Sequence, residues 1–156
     1  MITDFDVAAT RNVLPGRVTL RGDCRAFQPK LQDRIESTMR RLVDAICAAG
    51  GANGTVAYNR EFAATVNTPD EADLAARVIE RSFGADQLVP EAAPLMASED
   101  FGFVLHHRPG AYVLIGNGTD GPSGQSLHSP DYDFNDEILS VGVAFWTALD
   151  QSYLSA

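Results

Sequence analysis

Apolar and polar positions along the chain follow two rhythms, and each change of rhythm marks an element. Ile2 to Ala9 reads as a short strand, followed by a turn at Pro15-Gly16. From Arg17 to Phe27 the period is two. Val18, Leu20, Gly22, Cys24 and Ala26 share one face, and Thr19, Arg21, Asp23 and Arg25 the other, which predicts a strand with one buried and one charged face. The rhythm then lengthens. Leu31, Ile35, Met39, Leu42, Val43 and Ile46 recur every three or four residues, predicting a long helix that opens near Pro29 and ends at Gly50-Gly51. A further strand is predicted over about Gly54 to Phe62, where Val56, Tyr58 and Phe62 alternate.

The second half opens on Thr68-Pro69-Asp70-Glu71, the pattern of a capping box with proline at the first helical position. Leu74, Val78, Ile79 and Phe83 line that helix, and Gly84 closes it. Ser98 is the expected cap of a short helix reaching His106 or His107. Ala111 to Ile115 is a continuous apolar run that suits a strand buried on both faces. Gly116 to Ser126 holds four of the chain's 13 glycines and reads as a flexible loop. The last helix starts near Asn135 and carries Ile138, Leu139, Phe145, Trp146, Leu149 and Tyr153. The sum is an α/β chain without internal repeats.

Composition narrows the function classes. With 45% apolar and 21% charged residues over 156 positions, the chain has the balance of a globular protein. A net charge of −9 repels phosphate backbones and anionic lipid, which argues against nucleic-acid and membrane partners. No apolar run approaches the length of about 18 residues needed to span a bilayer, and Met1 to Thr10 lacks a secretory pattern. Cys24 and Cys47 make neither a disulfide framework nor a metal-type pair, and read as buried free thiols in a cytoplasmic protein.

Three histidines remain to be weighed. His106 and His107 fall at a helix end, where the dipole favours them without any further role. His128 lies in Leu127-His128-Ser129-Pro130-Asp131-Tyr132-Asp133-Phe134-Asn135-Asp136, a polar loop ahead of a helix, and reads either as a surface residue or as a metal ligand. Asp133, Asn135 and Asp136 suit helix caps and first-turn anions. Ser98-Glu99-Asp100 reads either as a helix start or as a pocket edge facing an anionic substrate group, and Asn12 as a turn residue or a donor into a cleft.

Three stretches, in order, resemble one family. Asn12-Val13-Leu14-Pro15, followed by Arg21-Gly22-Asp23-Cys24-Arg25, is similar to the lid-domain signature of hippurate hydrolases, aminoacylases and auxin-conjugate hydrolases. Met96-Ala97-Ser98-Glu99-Asp100-Phe101 resembles their catalytic-domain loop, with Ala97 where glycine is frequent. Pro109-Gly110-Ala111 with Gly116, and Leu127 to Asp136, resemble their C-terminal metal-binding stretch.

The resemblance implies a two-metal amidohydrolase acting on small N-acyl amino acids, with manganese or zinc as the expected ions and nickel or cobalt as alternatives. It implies half of a two-layer lid, an antiparallel sheet plus helix over residues 1–66, then the C-terminal part of an α/β/α catalytic domain over 67–156. His128 would be the last metal ligand, Asn12 would reach from the lid toward substrate, and Ser98 and Glu99 would line the pocket. The family's N-terminal half, with most ligands and the catalytic base, has no counterpart here. The expectation is therefore a fragment inactive alone, or one chain of a split enzyme with a separate N-terminal half. Apolar faces built to cover that half imply a homodimer or higher oligomer. The competing reading is a non-catalytic dimerisation or ligand-binding module, which the strand-helix-strand first half would serve equally well.

Overall fold

Alternation makes a strand only where a second backbone lies alongside, and among the described residues one pair of segments meets that condition. The computed structural model describes residues 1–155. They form a mixed α/β structure of one two-stranded antiparallel sheet and four α-helices. The chain divides into two compact units, Met1–Ala64 with Leu95–Ser98, and Thr65–Pro94 with the residues from Glu99 onward.

In the first unit, β1 (Ile2–Val7) pairs with β2 (Val18–Gly22), Phe5 opposite Leu20 and Val7 opposite Val18. The register slips by one residue between Ile2 and Asp4. Gly22 lies opposite this irregularity, where a Cβ would come within 2.4 Å of the Met1 carbonyl oxygen, so only glycine fits. Arg21 pairs with Asp4 across the strands. β2 is shorter than the alternation predicts, and its supposedly buried face is open, with Leu20 57% exposed, because a two-stranded ladder covers neither of its own faces.

Helix α1 (Pro29–Ala49) follows the predicted bounds. It closes as predicted: Gly51 takes a left-handed φ of 68°, the Ala52 N–H donates to the Cys47 carbonyl (2.8 Å), and the Gly51 N–H to that of Ala48 (3.1 Å). The strand expected over Gly54–Phe62 does not form. Its backbone has no ladder partner, and the segment instead runs antiparallel along α1 on side-chain contacts. Gly54 sits against Val43 and Cys47, Arg40 donates to the Val56 carbonyl (2.6 Å), and Arg60 pairs with Asp33 (2.7 Å) and Glu36 (2.8 Å). Burial pushes the Tyr58 hydroxyl's pKa up, with the Cys24 thiol adding to it, and that hydroxyl has no hydrogen-bond partner. Cys24 and Cys47 are free and half-buried.

In the second unit, α2 (Pro69–Phe83) packs on α4 (Leu139–Leu154). Ala75, Val78 and Phe145 are buried between them, flanked by Leu74, Ile79, Phe83, Ala148 and Leu149. The capping box does not close. The Gly110 N–H donates to the Thr68 hydroxyl (3.0 Å) and the Thr68 N–H to the Gly110 carbonyl (2.9 Å), so the cap oxygen holds a loop rather than the helix start.

Beside it, Asn67 binds both backbone groups of Tyr112, accepting from its N–H (2.8 Å) and donating to its carbonyl (3.1 Å). A carboxamide thus takes the place of a neighbouring strand. The buried strand expected at Ala111–Ile115 is absent because no neighbouring backbone among the described residues forms a ladder with it, and Tyr112 to Ile115 are exposed. Helix α3 (Phe101–Leu105) starts from Asp100, not Ser98. The turn Asp136–Ile138 leads into α4 and is capped by Asn135, whose side chain accepts from the Glu137 N–H (3.1 Å). No helix among the described residues is long and apolar enough to cross a membrane.

Candidate functional site

The turn that carries His128 forces an imidazole into a backbone position that favours glycine. The Ser129 N–H donates to the Ser126 carbonyl (3.0 Å), closing a tight turn with Leu127 and His128 at its centre. His128 has φ 71°, the one non-glycine residue with positive φ among those described. Positive φ at the third residue of such a turn is normally supplied by Gly or Asn. A residue with a Cβ there costs roughly 1–2 kcal/mol, and strain of this kind gathers at functional positions. The side chain is exposed.

Glu99, in the same unit, is fully engaged. Its Oε1 accepts from the Asp100 N–H (2.9 Å) and its Oε2 from the Tyr112 hydroxyl (2.9 Å). The Asp100 carboxyl and then Tyr112 hold Glu99 below the ordinary carboxylate range, while Glu99 raises Asp100. Glu99 in turn raises Tyr112. The ring of Tyr112 leans on Phe101, their centroids 5.8 Å apart. Glu99 is thus a fixed negative charge at the start of α3.

Asn12 and Ser98 belong to the first unit. Asn12 lies in a turn, where the Val13 N–H donates to the Thr10 carbonyl (3.1 Å), and its side chain is exposed. Ser98 is exposed. A hollow of about 540 Å³ between α2 and α4 is bordered by Arg77, Arg81, Gln151 and Ser152, and another of about 380 Å³ lies beside α1 at Arg40 and Asp44. None of the four candidate residues lines either.

No group of three or more His, Cys, Asp or Glu residues among those described stands close enough to hold a metal ion. Catalytic metals usually take three protein ligands, so this chain's residues do not by themselves fit one. His128 qualifies as a single donor. Two residues with several side-chain bonds in this unit stand outside the predicted pattern: Tyr112, hidden in an apolar run, and Asn117, whose carboxamide bonds the backbone of Ser123, Asp133 and Asn135. An isolated Asn in a loop signals only a turn.

A family model described as peptidase family M20/M25/M40 matches residues 9–151. The chain is 30% identical over 145 residues to IAA-amino acid hydrolase ILR1-like 2 of Arabidopsis thaliana, covering 92% of this chain and 33% of that protein. It is 27% identical over 150 residues to hippurate hydrolase of Campylobacter jejuni, covering 96% and 38%. It is 28% identical over 134 residues to N-acetyldiaminopimelate deacetylase of Leuconostoc mesenteroides, covering 85% and 33%. The chain spans about a third of the length of the curated relatives it matches. No solved structure matches it.

Proposed function

This chain belongs to peptidase family M20/M25/M40, and from that membership we propose that it forms the C-terminal part of a metal-dependent hydrolase cleaving the amide bond of N-acyl amino acids. The match across residues 9–151 carries the reading, and the hydrolase and deacetylase names of its relatives supply the substrate class. Residues 1–66 then contribute part of a lid and dimerisation domain, and 67–156 the end of the catalytic domain. Hippurate-like aromatic amides are the proposed substrates, in keeping with the relative named hippurate hydrolase.

Within this reading His128 gives one imidazole to a site whose other ligands come from elsewhere. Its strained backbone supports the assignment, since a surface histidine without a role gains nothing from positive φ. Glu99, its pKa lowered by its neighbours, lines the pocket near the substrate and would favour a developing ammonium on the leaving amine. Asn12 and Ser98 offer neutral hydrogen-bonding groups to the substrate. The general base that moves the proton to the leaving amine lies outside these residues.

The test is hydrolysis of an N-acyl amino acid panel, including hippurate, by the purified chain with manganese or zinc. Each assay runs beside a His128→Ala control, with and without the N-terminal portion of an intact family member. We expect no turnover by the chain alone, and turnover in the mixture that His128→Ala abolishes. Turnover by the chain alone would overturn the incomplete site. Failure of the mixture would favour a non-catalytic module.

A further inference from the structure

The 116–135 loop contains the chain's densest set of side-chain to backbone hydrogen bonds, and three of them come from one residue. Asn117 donates through Nδ2 to the carbonyls of Ser123 (2.9 Å) and Asp133 (2.9 Å), and its Oδ1 accepts from the Asn135 N–H (2.9 Å). A fourth bond, from the Asp133 N–H to the Pro122 carbonyl (3.2 Å), joins the same two segments directly. Residues 122–124 and 133–135 are thereby held side by side. The lobe between them, residues 125–132, has His128 near its tip.

Inside the lobe, hydrogen bonds are local. Ser129 N–H donates to Ser126, Tyr132 N–H to Ser129 (3.2 Å), and Asp131 N–H to the Ser129 hydroxyl (3.3 Å). Such short-range turns do not bring the two ends of an eight-residue span together; that requires contacts at its base. The strained φ of His128 also persists only if the surroundings impose it. The base is where they do so, and Asn117 is the part-buried group that reaches both sides.

We infer that Asn117 is a positioning residue for His128: its carboxamide closes the base of the lobe and so holds the imidazole in its left-handed backbone setting. A carboxamide is suited to this, having two donors and an acceptor in one plane. Asp could accept from Asn135 but could not donate to the two carbonyls. The inference builds on the proposed role of His128, yet its test involves no metal, so the two fail separately. The ligand role fails in the His128→Ala assay, and the clamp fails in amide exchange.

Amide hydrogen exchange by NMR on the full chain decides it. In Asn117→Ala the amides of Ser129, Asp133 and Asn135 should exchange about tenfold faster: Asn135 loses its acceptor outright, and Ser129 and Asp133 lose the clamp that holds their Ser126 and Pro122 partners in place. Amides in α2 and α4 should keep their rates. In Asn117→Asp, protection returns at Asn135 alone. Adding His128→Gly to Asn117→Ala should restore Ser129, because glycine takes positive φ without steric cost. Unchanged exchange at Ser129 in Asn117→Ala would overturn the inference. So would equal acceleration in α2 and α4, or failure of His128→Gly to restore Ser129.

Discussion

Glu36 receives two arginines that the chain brings from different distances, Arg40 one helical turn ahead and Arg60 from the segment after α1. Arg60 first, and then Arg40, hold its carboxyl below the ordinary glutamate range. A folded pKa below the unfolded value means that ionised Glu36 stabilises the fold above the ordinary range near pH 4.3, and that this contribution disappears as pH falls through the folded value. We expect the side-chain NMR signals of Arg60 to stay fixed from pH 7 to 5 and to shift and broaden below about pH 4. Glu36→Gln should show the loosened signals at every pH. Signals that move above pH 5 would show that another group controls the segment. Residue-scale partners of this kind were only partly legible in sequence. Glu36 and Arg40 have helical spacing, but nothing near Thr68 announces that its hydroxyl will serve Gly110, nor that Asn117 will find Ser123, Asp133 and Asn135. Those bonds depend on where loops return, which local pattern does not encode.

At the scale of elements, the periodic helices were readable and the predicted inner strands were not. The stripe on α1 and the pattern Leu74, Val78, Ile79 and Phe83 on α2 are intrinsic to a helix, whose backbone bonds are internal. A strand borrows its bonds from a neighbour. Gly54–Phe62 and Ala111–Ile115 have the right composition and no ladder, and the second is served by the Asn67 side chain alone. The hairpin succeeded because both partners lie close in the chain. Neighbouring residues of α4 separate burial from composition: Phe145 is buried against α2, whereas Trp146, its ring 5.6 Å away, is 67% exposed. Phe145→Ala should cost about 3–5 kcal/mol in chemical denaturation of the α2–α4 unit. Trp146→Ala should stay within about 0.5 kcal/mol, as for other exposed positions. Equal losses would mean that the α2–α4 contact is not the core of that unit.

The molecule as a whole presents 12641 Å² of accessible surface. Two separate compact proteins of the sizes of its two units would expose about 9,200 Å² together. Large apolar side chains contribute to it: Leu14, Ile46, Leu114, Leu127, Val143 and Trp146 are all more than 60% exposed. Exposed apolar area of this extent drives association, even against a net charge of −9. Analytical ultracentrifugation should therefore show dimers or larger species growing with concentration, more readily at high salt, where repulsion is screened. A monomer at every concentration tested would refute that expectation. The same uncovered surface bears on the life of the chain in a cell. Chaperones and proteases sort proteins by the greasy segments they leave accessible, and a polypeptide like this one advertises itself to both. Where that surface stays open, a copy should be short-lived; where it is covered, by the rest of a longer chain or by another molecule, it should persist.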